Sequence, residues 1–531
     1  MTPTNIPRRV LGGAGLLAAL RPGRGMAQAA PLRIGALTDP SMDPHFLYLT
    51  TNMAYSQHLF DALSVKDENS LALPGLTESW RPLDERRWEF TLRRGVKFHD
   101  GSDLTAADVK FSIERVPNIP ANPSPYTPNL RGITAVEILD DHRLRFTTAG
   151  PVPVLYGTLG AIYIVSHRAA AGAMPADFRS GRAAIGTGPY RFGEYLPAQR
   201  LELTRWEGYW GPKPAFARVQ FRFIPNGGAR LAALLAHEVD VADFLPPELL
   251  NSLRGNPQVQ ILSRPSDRVI YLVPDVAREV SPFIRGRDGQ PLATNPLKDV
   301  RVRRALSLAI NRDGLARQVM DGLADPIGQI VPRGYGGYDD GLAPDPFDPE
   351  RARRLLAEAG YPNGFQLTLH GPNDRYVNDA RVLQAVGAMF TRIGIETRVE
   401  VMPRNMYFGR ANPPRMEFSL SLIGWGSAGE GESGYGLATL LHSRQPERGL
   451  GGINNGGYAN AAFDAALQTA LARFSMAERH AALQSAMRIA MEDVAVIPLY
   501  VQHSAIAVRR GINYLVRDDE KTIAMQASPA G

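Results

Sequence analysis

The chain has no cysteine among its 531 residues. Thiol catalysis, iron–sulfur clusters, cysteine-ligated zinc and a disulfide scaffold are therefore excluded. The absence suits an oxidising compartment, where stray thiols are a liability. Also missing is any run of about 18 consecutive apolar residues, so no membrane-spanning helix is expected. There is no repeat of fixed period and no low-complexity tract. The 10 histidines are scattered singly, with no H-E-x-x-H, and this gives a zinc site no support. Acidic residues are absent from the first thirty positions, which hold Arg8, Arg9, Arg21 and Arg24. Without these four arginines the balance is 55 basic to 53 acidic residues. The formal charge of +6 thus belongs mostly to the leader, and a nucleic-acid-binding surface is not supported.

What is present is an ordinary globular composition, 44% hydrophobic and 21% charged. At roughly 100–200 residues per domain, two to four structural units are expected. The 51 Gly and 42 Pro make the chain rich in turns. Residues 1–30 have the three-part build of an export signal. A basic start precedes an apolar run of 11 residues from Val10 to Leu20, and Ala27 and Ala29 form an A-x-A site. The Arg8-Arg9 doublet and the dilution of the run by Gly12, Gly13 and Gly15 favour the twin-arginine route, with general secretory export as the alternative. The mature chain would begin near Ala30 or Pro31. No Cys is available there to carry a lipid, so a soluble protein of the periplasm is expected.

Residues 32–38, 87–92 and 142–147 alternate as half-buried strands. Thr105 with Asp108 three residues on is a capping box opening a helix. Further strands are expected around 201–205 and 218–224. The second half reads as more helical, with an apolar stripe over 300–323 broken near Arg312-Asp313-Gly314. Asp348, Pro349 and Gly360 supply the N-cap, first-turn proline and terminating glycine of another helix. Strands at 367–370, 397–401 and 418–423 interleave with helices around 379–392 and 461–493, which argues for an α/β unit. The stretches 117–129, with five prolines, and 274–297 read as loops.

The motifs of enzymes fail on inspection. Gly424-Trp425-Gly426-Ser427-Ala428-Gly429 has the G-x-G-x-x-G spacing after a strand. The next residues, Glu430-Gly431-Glu432-Ser433-Gly434, cannot open a stable helix, and their acids would repel a pyrophosphate. An esterase elbow fails because Trp425 stands where the first glycine belongs. No residue is nominated as catalytic, no metal site is nominated and no cofactor is expected. A loop after an α/β strand is still a good place for a ligand.

The segments Leu73–Trp80, Trp88–Gly101 and Leu104–Val109 closely resemble the signature of the family 5 extracellular solute-binding proteins, the dipeptide, oligopeptide and nickel binders of ABC importers. The resemblance continues through Asp39-Pro40, Asp43-Pro44-His45, Gly186–Tyr190, Asp299–Leu306, Asp348–Gly364 and Ile497–Tyr500. It implies an α/β fold of the two-lobed type II periplasmic binding protein class, with an extra α+β domain and a ligand cleft between lobes. Transferred here, 31–64, 186–273 and 499–531 would form lobe I, 65–185 the extra domain and 274–498 lobe III. The signature at 95–109 would serve folding, since its capping box and turn are reason enough for it.

The resemblance further implies ligand contacts from residues 43–52, 374–376 and 424–432. The residues it nominates are His45, Tyr48, Asn52, Arg375, Tyr376, Trp425, Gly426, Ser427 and Glu430. Trp425 would be an aromatic wall, Gly426 and Ser427 donors, Glu430 a partner for a ligand cation and Arg375 one for a ligand carboxylate. Dipeptide binders carry an Asp after Gly-Trp-x-Gly, and Ala428 occupies that place here, so the cation-binding acid is missing or displaced. The implied function is capture of a peptide or other small polar organic solute by a monomer that closes by hinge motion and delivers to membrane permease subunits. An exported periplasmic hydrolase is the alternative from another class, and a structural or chaperone-like protein a third.

Overall fold

A computed structural model describes residues 30–426 and 431–531. The expected leader lies outside the described residues. Among those described, no helix is long and apolar enough to cross a membrane.

Twelve of the strands form one mixed sheet. In spatial order its path runs Ile284–Arg285, Gln366–Pro372, Leu420–Trp425, Val259–Pro274, Ile497–Arg509, Val241–Ala242, Leu32–Ala36, Arg218–Phe223, Arg200–Arg205 and Tyr190–Leu196. Ala324–Pro326 and Glu396–Met402 pair beside this path. Two long antiparallel strands, Val259–Pro274 and Ile497–Arg509, occupy its centre and serve both ends. Residues 259–265 pair with 503–509, on the side that holds the N-terminal strand. Residues 269–272 continue along 497–501, and 269–274 also pair with Leu420–Trp425 on the other side.

The register breaks between these halves. Three residues, Ser266, Asp267 and Arg268, stand opposite Gln502 alone. The cause is local. Pro265 has no N–H to donate to the ladder, so it belongs at a bulge. Ser266 then bonds the partner strand through its side chain, its Oγ donating to the Gln502 carbonyl at 2.6 Å and accepting the Arg268 N–H at 3.1 Å. A bulge bends its strand and re-aims side chains. The lobe boundaries expected at 273/274 and 498/499 fall inside these two strands.

Burial follows the period of two. Ile270 and Leu272 enter a core shared with the helices Val300–Leu308 and Asp379–Arg392, whereas Val269, Tyr271 and Val273 enter another with Ala461–Leu471 and Met476–Glu492. That half of the sheet is covered on both faces, as an α/β layer requires. A separate core around Leu32, Ile34, Phe221 and Val508 fills the other half.

A further unit is built on the antiparallel strands Thr77–Pro82, Arg87–Leu92, Arg143–Thr148 and Ile133–Asp140, in that spatial order. Phe90, Leu144 and Phe146 point from them into its core. The helix Ala106–Arg115 packs there, opened by Thr105, whose N–H donates to Asp108 at 2.9 Å. The signature segment ties this unit to its neighbour, since the buried His99 ring bonds the Gly188 carbonyl at 2.9 Å. Trp88 also stacks on Phe474 at 5.9 Å, so the unit reaches the helical half.

Local punctuation matches the expectations closely. Asp348 caps the helix Pro349–Glu358 through the Arg351 N–H at 2.8 Å, and Gly360 follows at φ 91°. The stripe over 300–323 breaks slightly earlier than expected. Asn311 caps a new turn through the Gly314 N–H, so the regular helix stops at Leu308.

Candidate functional site

A cleft of about 530 Å³ opens at the bulge. Its walls come from the stretches 48–53, 123–128, 267–268, 375–376, 408–426 and 519–521, together with Lys66, Tyr435 and Ile453. The volume lies within the roughly 300–1,000 Å³ of small-molecule sites.

The aromatic wall is Trp425 with Tyr435, stacked at 5.8 Å between ring centres. Trp425 ends its strand opposite Val269, which fixes the indole beside the bulge. Its Nε1–H is buried and has no hydrogen-bond partner among the described residues. An indole donor in that position suits an acceptor on a ligand.

Arg375 projects from a turn clamped by one carboxylate. The N–H groups of Arg375 and Tyr376 both donate to Asp379 Oδ2 at 3.0 Å, while Asn378 takes a left-handed φ of 55°. The Tyr376 ring is buried and its hydroxyl donates to the Gly424 carbonyl at 3.1 Å. The Arg375 guanidinium lies over that ring at 5.1 Å. Among the described residues it forms no ion pair. Its side chain is exposed toward the cleft, and partial desolvation, together with the charge of Arg268, lowers its pKa. An unpaired cation beside another cation is poised for a ligand anion.

The other cations of the cleft are engaged. Arg268 grips Glu520 through two nitrogens, with Nη2–Oε2 at 2.7 Å, and Lys521 and Arg517 hold Asp519 at 3.1 and 2.7 Å. Burial, then the acids Glu520, Asp518 and Asp519, push the Asp267 carboxyl up to about 7 against the pull of Arg268.

The structure thus brings Tyr48, Arg375, Tyr376, Trp425 and Gly426 together on one cleft. Ser427 and Glu430 lie outside the described residues. Glu432, just after them, is only 1% exposed and is held by Arg479 at 2.8 Å, which anchors that end of the loop.

His45 and Asn52 do not line the cleft. The His45 ring is fully buried, its Nε2 bonds the Tyr163 carbonyl at 2.7 Å, and its Nδ1 meets Arg115 at 3.0 Å. Burial first, and then Arg115, lower its pKa to about 4. Asn52 faces inward as well, accepting the Ser41 N–H at 2.9 Å and donating to the Phe46 carbonyl at 2.9 Å. Both shape the loop that presents Tyr48. The Tyr48 N–H in turn donates to the Ser124 carbonyl at 2.7 Å, joining this loop to the proline-rich stretch.

That proline-rich stretch was expected only as a loop, yet Pro123, Ser124, Pro125 and Pro128 form a cleft wall. Asp267 and Arg268 were not expected at all. The signal that could have found them is Pro265 inside an otherwise strand-like run.

Residues 72–447 match the model of the bacterial extracellular solute-binding proteins, family 5 Middle. The chain belongs to this family. It is 28% identical over 472 residues to the glutathione-binding protein GsiB of Escherichia coli strain K12, covering 87% of each chain. The fold is similar to HbpA2 from Haemophilus parasuis, with TM-score 0.80 and 24% identity over 94% of this chain and 100% of that one. It is also similar to the periplasmic binding protein DppA from Helicobacter pylori in complex with the peptide STSA, with TM-score 0.75 and 24% identity over 94% and 98% of the two chains. The architecture is therefore the type II periplasmic binding fold with several domains. The solute-binding reading stands over the hydrolase alternative, because family and relatives are substrate-binding transport proteins. Family members serve outside the cytoplasmic membrane with an ABC permease as partner.

Proposed function

We propose that this protein is a periplasmic monomer that captures a peptide or other small polar organic solute bearing a carboxylate and hands it to ABC permease subunits. The observation that carries the carboxylate is Arg375, a guanidinium with no ion-pair partner among the described residues, lining a cleft beside Trp425. A carboxylate there gains charge-assisted hydrogen bonds, which closure over the ligand would shield from water. The Trp425–Tyr435 wall would cover the apolar part of the solute, and Gly426 would leave its backbone open to it. Bulged strands at the centre of the sheet are natural hinges. A ligand that touches both sides binds the closed form better and so shifts the population toward it. The export signal read at residues 1–30 supports the periplasm, and the twin-arginine doublet supports export in folded form.

The test is direct. Protein purified from the periplasm is denatured, and small molecules released in stoichiometric amount are identified by mass spectrometry. The expected result is one carboxylate-bearing solute that, added back, raises the melting temperature with the logarithm of its concentration. Glutathione is titrated in parallel, since GsiB is a glutathione-binding protein. A released solute without an acidic group would overturn the role of Arg375.

A further inference from the structure

The four-stranded unit is fixed to the N-terminal half of the large sheet. Besides the His99–Gly188 bond, the Ile164 N–H donates to the Asp61 carbonyl at 2.8 Å, and Ala62 bridges Tyr163. It nonetheless reaches across to the helical half at two places. The first is Trp88, which pairs with Phe146 across the strands and enters the unit's core with Phe90 and Leu92. Trp88 is only 5% exposed, with Phe474 stacked on its indole. Phe474 stands in the short connection between the helices Ala461–Leu471 and Met476–Glu492, yet its ring packs against the core of the four-stranded unit. An aromatic ring that one body lends to the core of another stays buried only while the two are together.

The second place is Arg131, just after the short helix Thr127–Leu130. Its guanidinium donates to the Gly449 carbonyl. Gly449 takes a left-handed φ of 69° in the turn over 445–450, and a β-carbon there would run into the guanidinium. Both ends of this bond adjoin the cleft, which Pro128 lines on one side and Ile453 on the other. Trp88, Phe474, Arg131 and Gly449 themselves do not line it.

We propose that these two contacts form a clasp across the mouth of the cleft, one that favours the closed arrangement of the two halves whether or not cargo is bound. The clasp rests on the reading that the halves move about the bulged central strands. Opening about those strands would draw the four-stranded unit away from the helical half, wet the Trp88 and Phe474 faces and release Arg131. The chain's own residues therefore set part of the closed population, and the apparent Kd of any cargo is its intrinsic value divided by that closed fraction. Lying outside the cleft, the clasp governs how tightly cargo is held and not which cargo is chosen.

The chain has no cysteine, so spin labels attach only where they are placed. Ile138→Cys on the four-stranded unit and Ser485→Cys on the helix Met476–Glu492 are both exposed positions. The labelled mature protein is stripped of cargo by unfolding and refolding, and the distance between labels is measured by double electron–electron resonance. A short-distance population holding more than half of the molecules is expected. Phe474→Ala should lower the ratio of short to long distances about tenfold, the effect of losing the buried ring. Arg131→Gln, which removes an exposed charge-assisted bond, should lower it about two- to fivefold. Far-ultraviolet spectra and melting transitions accompany each variant. Arg131→Gln is a surface change, so it keeps the test readable if Phe474→Ala lowers stability. One distance distribution shared by wild type and both variants would reveal a fixed brace and overturn the clasp. A wild-type distribution that is already mainly long would overturn it too. No ligand is needed, so the outcome stands apart from the carboxylate assignment at Arg375.

Discussion

Replacing Arg375 by Gln separates binding from folding unusually well. In the unliganded protein the guanidinium makes no ion pair among the described residues and has the charge of Arg268 nearby. Its main-chain N–H, which holds the turn through Asp379, is untouched by the substitution. The unliganded melting temperature should therefore stay within about a degree, because surface-like positions free of structural bonds shift stability by only about 0.5 kcal/mol. In the complex the loss is large. Removing one partner of a desolvated, hydrogen-bonded charge pair costs roughly 2–5 kcal/mol, or about 30-fold to several-thousand-fold in Kd. Calorimetric titration with the released solute measures this. Thermal shift gives a second reading. Ligand at about 100 times the wild-type Kd stabilises wild type by roughly 2.7 kcal/mol, whereas a variant weakened about 100-fold gains only about 0.4 kcal/mol at that concentration. A Kd within threefold of wild type would refute the reasoning. So would a fall in unliganded stability large enough to account for the loss.

Other outcomes can be checked independently. Trp425→Ala removes a wall worth roughly 1.5–3 kcal/mol of apolar burial, so solute affinity should fall by about tenfold to a hundredfold by calorimetry. Arg479→Met leaves the buried Glu432 with only the His480 ring at 3.8 Å, which should cost about 3–5 kcal/mol in denaturant unfolding, where a change under 1 kcal/mol would count against it. His45→Ala should lower stability with little change in affinity, because the ring is bonded within the core and does not line the cleft.

The position of a residue in a loop says little about where its side chain points, and His45 and Asn52 show why. Both flank Tyr48, and all three read equally well as ligand contacts. The Asp43–Arg115 pair at 2.6 Å, 72 residues apart in the chain, draws His45 inward, and only Tyr48 is left facing the cleft. Arg375 could be nominated only through the family resemblance, which implies an Arg/Tyr segment at a strand end. The place of Asp267 in the cleft wall was not legible at all, because it depends on Gly426 and Asp518, both distant in sequence.

By itself the sequence determined the elements whose causes are local. These are the Thr105 and Asp348 caps, the Gly360 terminus, the alternating strands of the four-stranded sheet, and the long ordered signature that carries family membership. Each depends on residues within a few positions of one another, where propensity and hydrogen bonding act directly. The tertiary structure alone decided that two strands join both halves of one sheet and that their register slips at Ser266–Arg268. It also decided that a proline-rich loop, a C-terminal acid–base cluster and a Gly-Trp strand end converge on one cleft. Those relations come from pairings across hundreds of residues, and no local periodicity encodes which strand will lie beside which.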